Sequence, residues 1–485
     1  MPKIVLLWTD VAVWLLVAGL VYYAFVVRRN PDLRATWRKV FRDSAPLASS
    51  VILVAFLVVT MLDSVHFRSL LPPAPGVQGG AAAYDTRTRS VLDVVLRGLV
   101  GSREATYSRP LAYVGFTKES LVVDGAMKRV APRLIYGGAE LTDPAHQWAG
   151  DVASRAGIGL AGGLLVAAVL SALLVAWVAR GERMGWRATA AGIAHDAYPV
   201  RWRTAILTIV AFCILGGPVA ALMNHYHVLG TDLTGNDVLL QALKSIRTAF
   251  VIGTLATMAT LPVAVTLGIM AGYFRGWVDE VIQYLYTMVA SIPNVLLIAA
   301  CVLMVQVFLD KHPEMFETGV ERADLKLFLL CAVLGLTNWA GLCRLLRGET
   351  LKLRSLDYVQ AANAFGISSA RIMVRHIFPN VAHLMLIVTV LDFSSLILYE
   401  AVLSYVGVGV DPSMNSFGGM INLARSEMSR DPVVWWSFAA AFGFMVTLVL
   451  AANLFHDGVR DAFDPRARVF RPRRIVAAPT MRELV

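Results

Sequence analysis

Hydrophobic and polar positions fall along this chain in long blocks. Apolar runs occupy residues 4–27, 45–62, 156–179, 204–223, 248–272, 281–308, 326–346, 381–403 and 433–454. Each holds about 18 residues or more, which as a helix suffices to cross a hydrocarbon layer ~30 Å thick. Such a layer offers backbone amides no water, so only a helix or a closed barrel can span it. The blocks therefore predict an all-α polytopic membrane protein with nine crossings. Two polar islands interrupt them. Residues 63–155 have the mixed charge of a small soluble module, with the Pro/Gly/Ala stretch LLPPAPGVQGGAAA near its start and short strand-like or helical pieces at 113–116 and 134–136. The second island is 356–380, LDYVQAANAFGISSARIMVRHIFPN, closed in by apolar runs on both sides.

Periodicity in that second island predicts two short helices with a break. Tyr358, Ala361, Ala362 and Phe365 recur at i, i+3, i+4, i+7 and give the first helix one apolar face. Asp357 with Gln360 three residues on has the spacing of an N-terminal capping pair, and Gly366 suits a left-handed C-terminal stop. Ser368 or Ser369 is placed to cap a second helix carrying Arg371 and Arg375 on one side, which Pro379 is expected to end. The apolar face either packs on its own protein, as an ordinary loop does, or docks on a soluble partner. Periodicity weighs the two evenly.

The same residues resemble the signature loop of ABC-importer permeases, written Glu-Ala-Ala, three residues, Gly, nine residues, Ile-x-Leu-Pro. Gln360, Ala361, Ala362, Gly366, His376, Phe378 and Pro379 stand at that spacing. The chain departs from the pattern at Gln360, where the family usually has Glu, at Phe378 in place of Leu, and at His376, a form common in the peptide-transporter branch. A second stretch, Gly230, Thr231, Asp232, then Gly235, Asn236, Asp237, Val238, is similar to the G-T-D-x-x-G-R-D-V element preceding the core helices of dipeptide, oligopeptide and nickel ABC permeases. Asn236 takes the place of the usual Arg. The likeness runs on to NLFHDGVRDAFDP and covers about residues 203–465. It implies a type I ABC-importer transmembrane domain with extra N-terminal helices and an extracytoplasmic insertion. It also implies that the hairpin docks into a separate ATPase subunit, with Tyr358, Ala361, Ala362 and Phe365 in contact and Gly366 setting the turn. Gln360 would then serve as a helix cap without the charge of the family's Glu.

The composition, 57% hydrophobic and 16% charged with mean hydropathy +0.62, excludes a soluble domain. A formal charge of +10 raises nucleic acid as a partner, but the bases are not gathered into one stripe. They cluster beside the spans, as orientation requires. Arg28 to Arg42, Arg180 to Arg203, the hairpin flanks at Arg344, Arg347, Lys352 and Arg354, and the tail at Arg460, Arg466, Arg468, Arg471, Arg473 and Arg474 are all expected in the cytoplasm. An outside N-terminus and nine crossings place them there by count as well. The first run is expected to be a retained helix: it is too long for a signal peptide, lacks a small-residue cleavage site, and its charges follow it. Glycines 157, 159, 162 and 163 suit close helix packing. The four cysteines lack C-x-x-C spacing, so neither a disulfide framework nor a zinc site is expected.

Intramembrane carboxylates are costly and stand as functional candidates. Asp392 lies mid-span with Glu400 about two turns later. They line the translocation path or a gate, or they make structural hydrogen bonds; both readings stand. His225 and His227 at i, i+2 without a third ligand read as solvated interface residues, not as a metal pair. Pro293 and Asn294 are expected to bend or pack their helix.

No GxxxxGK[ST] loop occurs, so nucleotide phosphates are not held in the P-loop manner. No catalytic residue, metal or bound cofactor is expected of this chain, and ATP and Mg belong to a partner. The expected function is the permease subunit of an ATP-driven importer in the bacterial inner membrane, for peptides, with nickel or modified peptides as alternatives. Its expected partners are a second homologous permease subunit, two ATPase subunits and an extracytoplasmic binding protein. The rival from another class is an ion-gradient-driven transporter, which would want inverted repeats and broken helices around a midplane ion site; no convincing repeat is found. A membrane hydrolase would want H-E-x-x-H or G-x-S-x-G, and neither is present. The expected organisation is two N-terminal helices in 1–62, the extracytoplasmic module in 63–155, a further helix and loop in 156–203, the permease core in 204–465 with its coupling loop at 347–380, and a basic tail in 466–485.

Overall fold

The computed structural model describes residues 3–71, 84–123 and 126–463. Most of the linker and the tail expected at 466–485 lie outside the described residues. Among the described residues, nine helices are long and apolar enough to cross a membrane. In chain order they begin with α1 (Trp8–Arg29) and, after the short α2 (Pro31–Val40), α3 (Ser44–Asp63). The polar module follows: α4 (Val91–Val95), α5 (Arg97–Gly101), and a hairpin of Glu119–Val123 against Ala126–Val130. The chain returns through α6 (Pro144–Glu182), α7 (Trp186–Ala194), α8 (Trp202–Leu222) and α9 (Val238–Phe274). It then builds α10 (Gly276–Ser291), α11 (Asn294–Lys311) and α12 (Gly319–Arg354). The last elements are α13 (Asp357–Ala364), α14 (Ser369–Ile372), α15 (Phe378–Tyr405), α16 (Phe417–Glu427) and α17 (Trp436–Phe463).

Helix α9 is the central strut, buried along much of its length against α12, α15 and α3. Its close approach to α12 requires glycine: a Cβ on Gly335 would sit 2.6 Å from the carbonyl oxygen of Ala256. Small residues also join α6 to α8, where Gly159 and Gly163 meet the backbone of Cys213 and Gly217, while Gly157 and Gly162 face open space.

The N-terminal addition is fastened to this core by a buried charge cluster. Arg247 on α9 donates to Asp10 at 2.6 Å and to Thr9 Oγ1 at 2.8 Å, and lies 3.5 Å from Asp324 on α12. The Thr9 amide and hydroxyl both donate to Asp324, and His66 stands 2.7 Å from the other Asp10 oxygen. Lys3–Val5 pairs with His66–Arg68, which pairs with Arg89–Ser90, so the start of the chain completes a three-stranded sheet of the module. At the opposite face Trp37 of α2 packs against Phe455 and Phe463 of α17. Successive long helices alternate between these two faces.

Three local expectations are corrected. The run 281–308 is not one bent helix: Ile292 and Pro293 are extended, ending α10 and starting α11. Pro293 has no N–H and Pro–Cδ crowds the residue before it, so the run breaks instead of bending. Pro379 does not end a helix: it follows directly on a π turn, whose altered hydrogen-bond ladder accommodates its missing N–H. A π turn at Met373–Ile377 joins α14 to α15, making Ser369–Tyr405 continuous. The first helix begins at Trp8, since Ile4 is used in the sheet.

Replacing Arg247 with leucine strands Asp324 as a buried charge without a counterion and leaves Asp10 only His66. The expected loss is roughly 3–5 kcal/mol, read as a lower Tm of the detergent-purified protein. Adding Asp10→Asn and Asp324→Asn to Arg247→Leu is expected to recover much of it. An unchanged Tm in Arg247→Leu would show that the cluster does not hold the addition in place.

Candidate functional site

The hairpin 356–380 stands at the face opposite the module, at the ends of α9 and α12. Val359, fully buried, and Ala362 face inward among Tyr273, Ile282, Tyr286 and Leu346, and Ile372 and Ile377 complete the contact. Tyr273 on α9 donates to the Asn363 side chain at 2.9 Å, and Asn380 donates to the Tyr358 hydroxyl at 3.2 Å. These ties leave the outer side of α13 bare: Tyr358 and Ala361 are exposed and Phe365 is 85% exposed. The four residues of the expected apolar face thus divide, with Ala362 turned inward. The i, i+3, i+4, i+7 set does not form one face, and Val359, outside that set, is also inward. Its own i, i+3 spacing to Ala362 was the available signal.

The expected capping pair does not form. Asp357 is already the first helical residue, and Gln360 instead donates to the Ser355 carbonyl at 3.1 Å, fixing the chain as it enters the helix. Ser368 precedes α14, with no side-chain cap bond. Gly366 is left-handed at φ +74°, and a Cβ there would meet nothing within 4 Å, so the backbone alone requires glycine. His376 packs beside the Tyr358 ring with centroids 6.2 Å apart, and Pro379 lies exposed on the outer side of α15.

Asp392 and Glu400 share α15 but not an environment. Asp392 is half-buried, with no hydrogen-bond or ion-pair partner among the described residues. Glu400 is 2% exposed, accepts from Ser404 at 2.6 Å, and lies against the start of α16, where a Cβ on Gly418 would sit 3.0 Å from its Oε1. Its carboxylate is placed where the unpaired amides and dipole of that helix favour negative charge.

At the module face the Gly230–Asp237 element closes a clamp. Thr231 Oγ1 accepts from the Ser108 amide at 2.6 Å and donates to the Thr106 carbonyl, and Trp436 of α17 donates to the Thr231 carbonyl at 2.9 Å. Asp232 accepts from the Thr234 and Asn236 amides and from Gln241, and Asp237 caps α9 at Leu240. Gly235 is left-handed, and a Cβ there would strike the Glu104 carbonyl. Asn236, in place of the usual Arg, bonds within this turn to Thr234.

Beneath the clamp His227 is 2% exposed, which corrects its reading as a solvated residue; His225 is partly open and lies 3.2 Å from Glu140. His227 Nδ1 meets Asp237 at 2.7 Å and Nε2 lies 3.4 Å from Glu104. Burial opposes its charge, but the two carboxylates outweigh it and lift its pKa to about 9. Burial likewise opposes the Glu104 carboxylate, yet His227 and the amides of Ile135, Tyr136 and Gly137 hold it down to about 2. Sequence spacing could not reveal this pair, whose members are 123 positions apart. Nearby, Tyr107 donates to Glu427 at 2.9 Å, joining the module to α16.

Residues 264–469 match the family described as binding-protein-dependent transport system inner membrane component. The oligopeptide transport system permease protein OppC of Mycobacterium tuberculosis is 31% identical over 245 residues, 50% of this chain and 78% of that protein. The dipeptide transport system permease protein DppC of Lactococcus lactis subsp. cremoris is 30% identical, over 50% of this chain and 64% of its own length. The glutathione transport system permease protein GsiD of Pectobacterium atrosepticum is 31% identical, over 50% of this chain and 73% of its own.

The clamp carries a pH signature. Glu104 contributes stability above its unfolded pKa of 4.5 that is lost as pH falls toward 2; His227 contributes below 6.5, and loses it as pH rises through about 9. The full contribution lies between those unfolded values. Tm measured against pH is expected to fall on both sides for the wild type, and His227→Gln is expected to flatten the alkaline arm. An alkaline arm unchanged in His227→Gln would refute the assignment.

Proposed function

This chain belongs to the family of binding-protein-dependent transport system inner membrane components, and we propose that it is the permease subunit of an ATP-driven importer of short peptides or peptide-like solutes. The observation that carries the reading is the hairpin's bare apolar crest, where Phe365 stands 85% exposed on a helix whose other side is fully seated. An aromatic side chain held outside the membrane on a rigid mount is suited to anchor a partner. The sequence has no P-loop, so that partner is an ATPase subunit bringing ATP and Mg.

On this reading, nucleotide-driven closure of the ATPase displaces Tyr358, Ala361 and Phe365. Ala362 and Val359 pass the displacement to the ends of α9 and α12, and Gln360, Gly366, His376 and Pro379 keep the hairpin's shape. The continuous helix Ser369–Tyr405 carries it across the bilayer to Glu400 and α16. Asp392, without a partner among the described residues, is the candidate for the path or a gate. Glu400 holds α16 in register with α15. The basic hairpin flanks support a cytoplasmic side for this face and an outer side for the module, in a bacterial inner membrane. Two ATPase subunits, a second homologous permease and an extracytoplasmic binding protein complete the importer. The named cargoes of the relatives, oligopeptide, dipeptide and glutathione, share amide-linked backbones, which supports a peptide-like cargo.

Phe365→Asp places a charge in the docking contact and is expected to reduce ATPase-subunit co-purification ~10-fold or more while the chain itself remains folded. Gly366→Val is expected to uncouple uptake through a backbone cost of ~1–2 kcal/mol, and Gly366→Asn much less. Normal assembly and uptake in Phe365→Asp would overturn docking at this crest. The chain purified alone is expected to hydrolyse no ATP, and intrinsic hydrolysis would overturn the permease reading.

A further inference from the structure

The break between α10 and α11 opens a recess of about 380 Å³ whose walls include Ser291, Ile292, Pro293 and Asn294 on one side and Thr337 and Asn338 of α12 on the other. Thr337 and Asn338 lie at the middle of the 36-residue α12, inside its apolar stretch, so the recess is at membrane depth. Beside apolar Val289, Ile292 and Ala340, its surface carries polar groups from two sources. Pro293 lacks an N–H, and among the described residues no backbone bond closes across the break, so the carbonyls of Val289, Ala290 and Ser291 lose their helical donors. The carboxamides of Asn294 and Asn338 have no partner among the described residues. Ser291 to Pro293 are exposed on the chain's surface.

Lipid cannot face such a surface. An irregular backbone at membrane depth is tolerated only where protein covers it or water fills the space beside it. We propose that this recess lines the translocation path and is a binding site for the main-chain amides of a peptide in transit. The inference rests on the permease reading and names the site within it. The chemistry of the lining defines the ligand class. Free carbonyls accept from peptide N–H groups, while the carboxamides both donate and accept, matching the two faces of an amide. Among the described residues, no ionisable side chain lines the recess. It therefore does not sort cargo by side-chain charge and holds no coupling-ion carboxylate, which separates it from the midplane ion site of a gradient-driven transporter. Neutral hydrogen bonds, individually weak in net terms, let a peptide enter and leave.

The test is aqueous access in membranes containing the assembled importer. Ser291→Cys and Asn338→Cys are labelled with a membrane-impermeant methanethiosulfonate, against the parent chain and against Met304→Cys on the apolar, exposed side of α11. Both recess positions are expected to react at least ~10-fold faster than Met304→Cys, and a transported peptide is expected to slow them. Asn338→Leu is expected to raise the KM for peptide uptake several-fold with assembly unchanged. Labelling no faster than at Met304→Cys, both at rest and with the ATPase trapped, in a complex that still imports peptide, overturns the recess and leaves the permease reading standing. A correctly assembled wild-type complex that imports no peptide overturns the permease reading itself, whatever the labelling.

Discussion

A bilayer gives a polar group no solvent to fall back on, and the ways this chain satisfies that constraint organise its architecture. Arg247 is the clearest case. Its partners Asp10 and Asp324 come from α1 and α12, and Ser64, just beyond α3, lies 3.4 Å from its Nε. Four helices distant in sequence therefore share one cluster. Apolar contact alone discriminates poorly between helix registers in lipid, because lipid tails are as apolar as the side chains. Sliding any of these helices by a turn would leave a bare charge in a low-dielectric interior. That penalty, more than the attraction of the pairs, fixes how the added N-terminal helices sit on the core.

The same constraint separates two carboxylates that look alike in sequence. Glu400 accepts from Ser404 and lies against Gly418 at the start of α16, and so sits at the joint between α15 and α16. Asp392, two turns away on the same helix, has no such donors among the described residues. A carboxylate of that kind needs either protonation or water close by. The two residues, equal candidates by sequence, thus sit in different environments. The continuous helix that carries them also runs from the hairpin to the module face. Its π turn, beside the buried Ile372 and Ile377, is where a rod seated at one end would most readily change angle.

How much was legible in the sequence follows from how local each cause is. Nine spans could be read because hydropathy needs only neighbours, and the Gly366 turn because a left-handed stop is a property of one residue. The hairpin's two faces were only half read: Tyr358 and Phe365 do point outward, but the inward Val359 depends on where α9 ends. Pro293 and Pro379 show the limit sharply. Pro293 lies inside an apolar run and Pro379 just ahead of one, yet the first breaks its helix and the second is carried within one, because the outcome depends on whether the freed carbonyls find partners or a cavity. The charge cluster of Arg247 and the Glu104–His227 pair were invisible, since their members are brought together only by the packing of separate segments.

Those two clusters also determine what the N-terminal addition does to the molecule as an interaction surface. At the hairpin face it packs on the core through α2 and the start of α3 against the end of α17 and through α6 and α7 against α8, and the crest at Phe365 stays open. At the other face it is inserted into the core's own entry turn. The turn at Gly235 is so close to the Glu104 carbonyl that a single Cβ would not fit, and Thr231 exchanges hydrogen bonds with Thr106 and Ser108. Tyr107, 1% exposed, reaches through to Glu427 on α16. The module is thus part of the surface that α9, α16 and α17 present on that side. A molecule approaching the core on that side meets the module's residues and the core's residues as one face.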